Sequence, residues 1–202
     1  IFDNNKDYFD IAKKYQNNNI SCLSILTDEK FFKGSDKDLI GIREIVDIPI
    51  IRKDFILDPY QLYESKMLGA DCILLILSMI DIKLAKDLEA EAMDIGLDVL
   101  IETHNKEEME NALSMKSELV GVNNRNLNDF TVNIDNTISL TSASVSEKIY
   151  VSESGIRSRS DINYIIDKSP ARSFLVGESL MRSNKLEEQI RTLLSSWLIK
   201  SD

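Results

Sequence analysis

The sequence predicts a parallel α/β fold, and three observations carry that prediction. Short, almost wholly apolar runs recur along the chain, such as CILLIL at Cys72–Leu77 and DVLIE at Asp98–Glu102. Each run is followed by a polar loop and then by a stretch whose apolar residues have helical spacing. Glycines mark returns from helix to strand, at Gly69-Ala70-Asp71 and Gly96-Leu97-Asp98, where a left-handed residue ends a helix. Strands that are apolar throughout need cover on both faces, which leaves an open doubly wound sheet or a closed (β/α) barrel.

Taken in order, Asp7–Asn17 reads as an amphipathic helix on which Phe9, Ala12 and Tyr15, or Ile11 and Tyr15, share a face. Ile20–Leu26 is a strand, Thr27–Ser35 a polar loop with two aromatics and a glycine, and Asp36–Val46 a helix. The unit repeats as strand Ile50–Lys53 with helix Tyr60–Leu68, strand Cys72–Leu77 with helix Lys83–Ile95, and strand Val99–Glu102 with helix Glu107–Ser114. Leu119–Val122 then precedes a long loop and a helix at Asp135–Leu140, and Ile149–Ser152 precedes a helix at Asp161–Asp167. Phe174–Val176 precedes two terminal helical segments, the last rich in Leu, Ile and Trp197. Seven strands are expected, preceded by a helix with no strand of its own. A (β/α)8 TIM barrel whose first strand is absent from this chain has this pattern, and 202 residues fall below the ~250 typical of that fold. No linker, low-complexity tract or charge block divides the sequence, so one domain over residues 1–202 is expected.

Composition narrows the function classes. With 43% hydrophobic and 29% charged residues the chain is ordinary for a globular protein with one substantial core. No apolar run is long enough to span a bilayer, and Ile1–Asn19 holds no signal-peptide core, so secretion is not expected. Cys22 and Cys72 both lie in apolar runs, where a free thiol behaves as a small hydrophobe. That favours a cytoplasmic location over a disulfide or metal role. The net charge of −10 argues against nucleic acid or membrane partners but leaves room for a small phosphorylated ligand at a local basic site.

In parallel α/β folds the loops after the strands form the ligand face, so residues just beyond each apolar run converge. The set here is Lys53, Glu102, Asn123, Arg125, Glu153 and Ser154. Lys53 ends Pro49-Ile50-Ile51-Arg52-Lys53. An ammonium group at the mouth of a buried strand loses hydration and suits proton transfer, although a snorkelling lysine at a solvated strand end reads the same way. Glu102 is either a carboxyl poised by burial for acid/base work or a helix-cap acid. Asn123-Asn124-Arg125 places a guanidinium beside an amide, suited to holding a carboxylate, with Asx-turn chemistry accounting for one of the two asparagines. Glu153 adds a second carboxylate to the face. The last two strands end in SESG, Ser152–Gly155, and LVGESLMR, Leu175–Arg182, where glycines let backbone N–H groups approach an anion. The side chain of Glu178 must then point away from a bound phosphate. His104 is the only histidine and reads as a surface or capping residue more readily than a catalytic one. Met67, Met79, Met93 and Met109 read as packing residues. Phe31, Phe32 and Phe55 are either core or the wall of an apolar pocket.

Together SILTDEKFFKGS, IIRKDFILDPYQ, GADCILLI, VGVNNRNL, VSESGI and FLVGESLMR resemble indole-3-glycerol-phosphate synthase, from about Ser21 to Arg182. The resemblance implies a (β/α) barrel enzyme of tryptophan biosynthesis, a carbon-carbon lyase (carboxy-lyase) that uses no metal or organic cofactor. It implies conversion of 1-(2-carboxyphenylamino)-1-deoxyribulose 5-phosphate to indole-3-glycerol phosphate by ring closure, decarboxylation and dehydration. Carried over residue by residue, Lys53 is the general acid and Glu102 assists proton transfer. Asn123, Arg125 and Glu153 position the anthranilate part and the reacting hydroxyls. Ser154, Gly155, Gly177 and Glu178 contribute to the phosphate cradle, and Phe32, Phe55 and Leu74 line the ring pocket. The partner implied is the small phosphorylated substrate, with association with other tryptophan-pathway enzymes left open. Two departures stand out. The family opens with a strand carrying a glutamate and a second lysine, then a Ser-Pro-Ser loop, and nothing of that kind precedes Asp7, so the chain is expected to be part of a longer protein. Asn126 stands where the family more often has aspartate. The competing reading is a non-catalytic or degenerate barrel that binds a phosphorylated ligand. Phosphoribosylanthranilate isomerase, another phosphate-binding barrel, needs a cysteine and an aspartate as its acid/base pair. Neither Cys22 nor Cys72 lies at a strand end suited to that role.

Overall fold

Parallel strands and helices alternate through residues 7–127, 129–142 and 147–195, the residues that the computed structural model describes. Trp197 lies outside them. The chain divides into two compact units, Ile1–Glu102 with Ser114–Ser117, and Thr103–Leu113 with Glu118–Asp202.

The first unit runs α1 (Tyr8–Asn17), β1 (Leu23–Leu26), α2 (Asp36–Arg43), β2 (Ile50–Lys53), α3 (Tyr60–Leu68), β3 (Cys72–Ile76), a 3-10 turn at Leu77–Met79, α4 (Ile82–Asp94) and, up to Glu102, β4 (Asp98–Thr103). Adjacent strands pair in parallel in chain order, with Leu26 opposite Lys53 and Ile76 opposite Glu102. The helices start where the sequence supplies acceptors for their free N–H groups. Asp7 accepts from the backbone of Phe9 and Asp10, Ser35 from Lys37, and Asp81 from Leu84. Gly69 and Gly96 take the left-handed conformation expected of them, at φ 96° and 75°. Side chains alternate across each strand. Ile50 therefore packs with Leu23, Leu39, Ile42, Val46, Ala12 and Ala70 in a core between the strands and helices α1 and α2. Each leucine, isoleucine or valine among them, fully removed from water, contributes about 1.5–3 kcal/mol.

The second unit holds α5 (Lys106–Leu113), β5 (Leu119–Asn123), α6 (Asp135–Thr141), β6 (Ile149–Glu153), α7 (Arg159–Lys168), β7 (Ser173–Leu175), α8 (Glu178–Met181) and α9 (Leu186–Leu194). Strands β5, β6 and β7 also pair in parallel, with Asn123 opposite Glu153 and Glu153 opposite Leu175. Helix α7 opens with a capping box between Ser158 and Asp161. Among the described residues, no helix is long and apolar enough to cross a membrane.

Three local expectations are corrected. The strand expected from Ile20 starts at Leu23 because Asn19 turns left-handed (φ 59°) and the Ile20 N–H closes onto the Tyr15 carbonyl, so those residues end α1 instead. The long loop after β5 is a tight antiparallel excursion, in which Arg125 bridges to Val132 and Asn126 N–H donates to Thr131 O at 2.9 Å. Of the four methionines read as packing residues only Met109 is buried; Met67, at 88% exposure, lies on the outward face of α3, and Met79 and Met93 are also exposed.

Candidate active site

In the first unit the chemistry collects where β2 and β4 end. Alternation directs Lys53 away from the Ile50 core, onto the face that also carries Glu102. The Lys53 ammonium lies 3.5 Å from the Glu102 carboxylate, with the two side chains 19% and 3% exposed. An ammonium beside a nearly dry carboxylate forms a proton-donor and proton-acceptor pair, held close by the charge attraction that burial strengthens. The aromatics of the neighbouring loops assemble beside it in sequence. Phe32 stacks on Phe55 with ring centroids 5.0 Å apart and planes at 9°, and Phe31 meets Phe55 edge-on at 5.6 Å. Asp28 organises this loop by accepting from the backbone N–H groups of Phe31 and Phe32. Phe31 is largely exposed, so it is not a core residue, whereas Phe32 and Phe55 are half-buried. Leu74 is fully buried on β3, opposite Leu100 and one side-chain layer below Ile76 and Glu102.

Behind Lys53, on the opposite face of β2, the Arg52 guanidinium is almost completely buried. Its Nε donates to Thr27 Oγ1 at 3.0 Å and its Nη1 to Ser65 Oγ at 3.1 Å. It forms ion pairs with Glu64 at 2.8 Å and with Asp36 and Asp54 at 3.2 Å each. Asp54 in turn accepts from Thr27 Oγ1 at 2.5 Å and from the Phe55 N–H at 2.8 Å. One side chain thus ties the β1–α2 loop, the end of β2 and α3 together. Desolvation holds the Asp36 carboxyl above its ordinary pKa, outweighing the downward pull of Arg52.

In the second unit, Asn123 closes an Asx turn by accepting from the Arg125 N–H at 3.0 Å, so it is the first of the two asparagines that serves the turn. Arg125 pairs with Glu178 at 3.0 Å, and Arg182 holds the other oxygen of the same carboxylate at 2.9 Å. Glu153 is buried at the end of β6. Ser154 and Gly155 follow in the left-handed region, at φ 65° and 81°. A side chain at Gly155 would place its Cβ 2.5 Å from Val132 Cγ1, so both conformation and space require glycine. At Gly177 a Cβ would meet nothing within 4 Å, and its φ of −117° is open to any residue. His104 does not cap α5: Asn105 does, its Oδ1 accepting from the Glu108 N–H at 3.0 Å, while His104 Nδ1 lies 3.1 Å from the Glu108 carboxylate that also accepts the His104 backbone N–H. Among the described residues, no group of three or more His, Cys, Asp or Glu side chains is placed to hold a metal ion.

The family model for indole-3-glycerol phosphate synthase matches residues 1–193. The chain belongs to that family. An indole-3-glycerol phosphate synthase of Polynucleobacter necessarius is 47% identical over 174 residues, covering 86% of this chain and 65% of its own length. That of Azospirillum brasilense is 45% identical over 185 residues, covering 92% and 70%. The chain therefore spans about two thirds of the length of the curated relatives it matches. Among solved structures, a chain of the tryptophan synthase complex of Pyrococcus furiosus superposes with TM-score 0.69 at 14% identity, covering 93% of this chain and 91% of that one. Phosphoribosylanthranilate isomerase of Thermotoga maritima gives TM-score 0.69 at 12% identity, with 93% and 92% covered. Likeness at such low identity is a likeness of fold, and with the family match it makes this a TIM-barrel-like parallel α/β protein.

Of the family-derived positions, Lys53 with Glu102 and Arg125 with Glu178 are in contact. Two polar residues escaped the sequence reading. Arg52 could have been found from strand alternation, because it occupies the same face as Ile50 and so must be buried and paired. Asn124 could not, because nothing local separates it from Asn123.

Proposed function

We propose that the chain carries the indole-3-glycerol-phosphate synthase reaction of its family: ring closure, decarboxylation and dehydration of 1-(2-carboxyphenylamino)-1-deoxyribulose 5-phosphate, within a (β/α)8 barrel. The observation that carries the reading is the Lys53–Glu102 pair at 3.5 Å, which combines a proton donor with a partner able to hold the proton. As the aromatic carbon attacks the substrate carbonyl, Lys53 delivers a proton to the developing alkoxide, so that carbon-carbon bond formation and proton transfer balance. Loss of carbon dioxide restores the aromatic ring; the new hydroxyl then takes up a proton and leaves as water while the methylene carbon next to the nitrogen gives one up, which forms the indole double bond. Glu102 supports both transfers and offsets the positive charge that builds on the intermediate. Asn123, Arg125 and Glu153 hold the anthranilate carboxylate and the reacting hydroxyls. Ser154, Gly155, Gly177 and Glu178 contribute to the phosphate cradle, largely through backbone N–H groups. Phe32, Phe55 and Leu74 receive the ring, and the Phe32–Phe55 stack presents an aromatic edge suited to it. The two free cysteines, Cys22 and Cys72, suit a reducing cytoplasm.

The test is turnover followed by the rise of indole fluorescence, with Lys53→Ala and Glu102→Gln as controls checked for intact fold. Loss of turnover in both supports the assignment. Near-normal rates in both variants overturn it, and stoichiometric binding without turnover by the unaltered protein points to the ligand-binding barrel.

A further inference from the structure

Asn124 lies between two residues assigned to substrate, yet it is only 3% exposed. Its polar groups are spent inside the protein. The backbone N–H donates to Glu153 O and the carbonyl accepts from Asn133 N–H, both at 2.9 Å. The side-chain Nδ2 donates to Ser152 Oγ at 3.0 Å and to the Ser154 carbonyl at 3.1 Å. The side-chain Oδ1 accepts from the Thr137 N–H at 3.1 Å and from Thr137 Oγ1 at 2.9 Å. Thr137 Oγ1 and Ser152 Oγ are 2.7 Å apart. Since the Thr137 proton is used on Asn124, Ser152 donates to Thr137, and the three side chains close a ring of hydrogen bonds with one consistent proton direction. Ser152 and Thr137 are themselves fully buried.

What this ring grips is the Ser154 carbonyl. Ser154 is a residue with a Cβ held at φ 65°, where only glycine rests without cost. An unclamped chain would relax toward negative φ and take the Gly155 backbone with it. We propose that Asn124, braced by Thr137 and Ser152, is a positioning residue that holds the Ser154-Gly155 turn in its left-handed form and thereby sets affinity for the phosphate of the substrate. The phosphate half of this statement rests on the functional reading above; the clamp rests on the geometry alone.

The test uses the full chain with Asn124→Ala, and with Thr137→Val as the second variant should the first not fold. The Ser154 backbone angle is read from its HN–Hα coupling and its carbon shifts, without ligand. Inorganic phosphate is titrated by the shift of the Gly155 amide, and substrate kinetics are split into KM and kcat. In the folded variant Ser154 leaves the left-handed region, and phosphate affinity and KM worsen about tenfold, the equivalent of one hydrogen bond, while kcat changes less than about twofold. A purely structural role lowers the active fraction, and hence kcat, with KM unmoved. In a Ser154→Gly background the affinity loss caused by Asn124→Ala shrinks several-fold, because glycine holds the positive φ unaided. An unaltered Ser154 coupling, or an equal affinity loss in both backgrounds, overturns the proposal. An unaltered protein that neither binds phosphate nor turns over refutes the functional reading, and the Ser154 coupling still decides the clamp.

Discussion

Replacing Arg52 by methionine keeps most of the volume of the side chain and deletes its charge. The consequences for its neighbours differ. Thr27 and Ser65 retain other partners, since Thr27 Oγ1 still donates to Asp54 and Ser65 Oγ to the Gln61 carbonyl. The Asp36 and Glu64 side chains are 44% and 33% exposed and can rehydrate, so each of those pairs counts for no more than about 1 kcal/mol. Asp54 is different: at 12% exposure it remains a carboxylate with no cation beside it. Breaking a buried pair by removing one partner costs about 3–5 kcal/mol. Against a total stability of roughly 5–15 kcal/mol, that is a large fraction. Urea unfolding followed by circular dichroism is the assay, with the midpoint falling and the slope preserved. If the reasoning is right, Arg52→Met combined with Asp54→Asn recovers about half of the loss, because the stranded charge is gone. A single-variant loss below about 1 kcal/mol, or a double variant less stable than the single, refutes the account of Asp54 as the costly partner.

Other expectations can be checked alongside. Lys53→Ala should lower kcat by about 100-fold or more, the usual contribution of a positioned acid, in a variant that still folds by circular dichroism but unfolds at a lower midpoint because the buried Glu102 carboxylate loses the ammonium beside it. Phe32→Ala should raise KM and cost about 0.5–1.5 kcal/mol of stability through the lost stack on Phe55, read from denaturant curves. Gly155→Ala should be destabilising, with about 1–2 kcal/mol from the left-handed backbone alone; adding Val132→Ala to make room should restore part of the remainder and none of the backbone cost. Burial raises the Cys22 thiol from 9.0 to about 11 and the Tyr15 hydroxyl from 10.0 to about 12. Burial also pushes the Cys72 thiol up strongly. The unfolded chain thus releases these protons at lower pH than the folded one, so stability is full below pH 9, declines from there toward pH 11 and, through Tyr15, on toward pH 12. A midpoint temperature flat between pH 8 and 11.5 contradicts that sign.

The alternation of strand and helix was legible because parallel strands covered on both faces have to be apolar, and runs such as Cys72–Ile76, all five residues buried, have few other uses. The positions of Lys53 and Glu102 followed from the same logic, since a polar residue closing such a run lies where the strand meets its loop. Boundaries were less legible. At Ile20 the closing turn of α1 claimed residues whose composition favours a strand, and after β5 a hairpin contact across Arg125 and Val132 replaced what reads as open loop. The polar networks were the least visible. Arg52 draws its partners from positions 27, 36, 54, 64 and 65, and Asn124 draws its own from 133, 137, 152, 153 and 154. Those groups meet only through tertiary contact, and no local pattern announces them.

The back-to-back placement of Arg52 and Lys53 on β2 also constrains how such a gene can change length. Shifting β2 by a single residue against β1 and β3 turns every side chain to the other face: one direction puts a guanidinium in the place of the ammonium beside Glu102, and the other drives the ammonium in among Thr27 and Ser65. A one-codon insertion or deletion between Ile50 and Lys53 thus loses the proton donor and the internal tie together, and no single further substitution restores both. The exposed segment at Leu57–Tyr60 carries neither function in its side-chain spacing. Length variation within this family should therefore concentrate in such connections and be nearly missing from the four residues of β2.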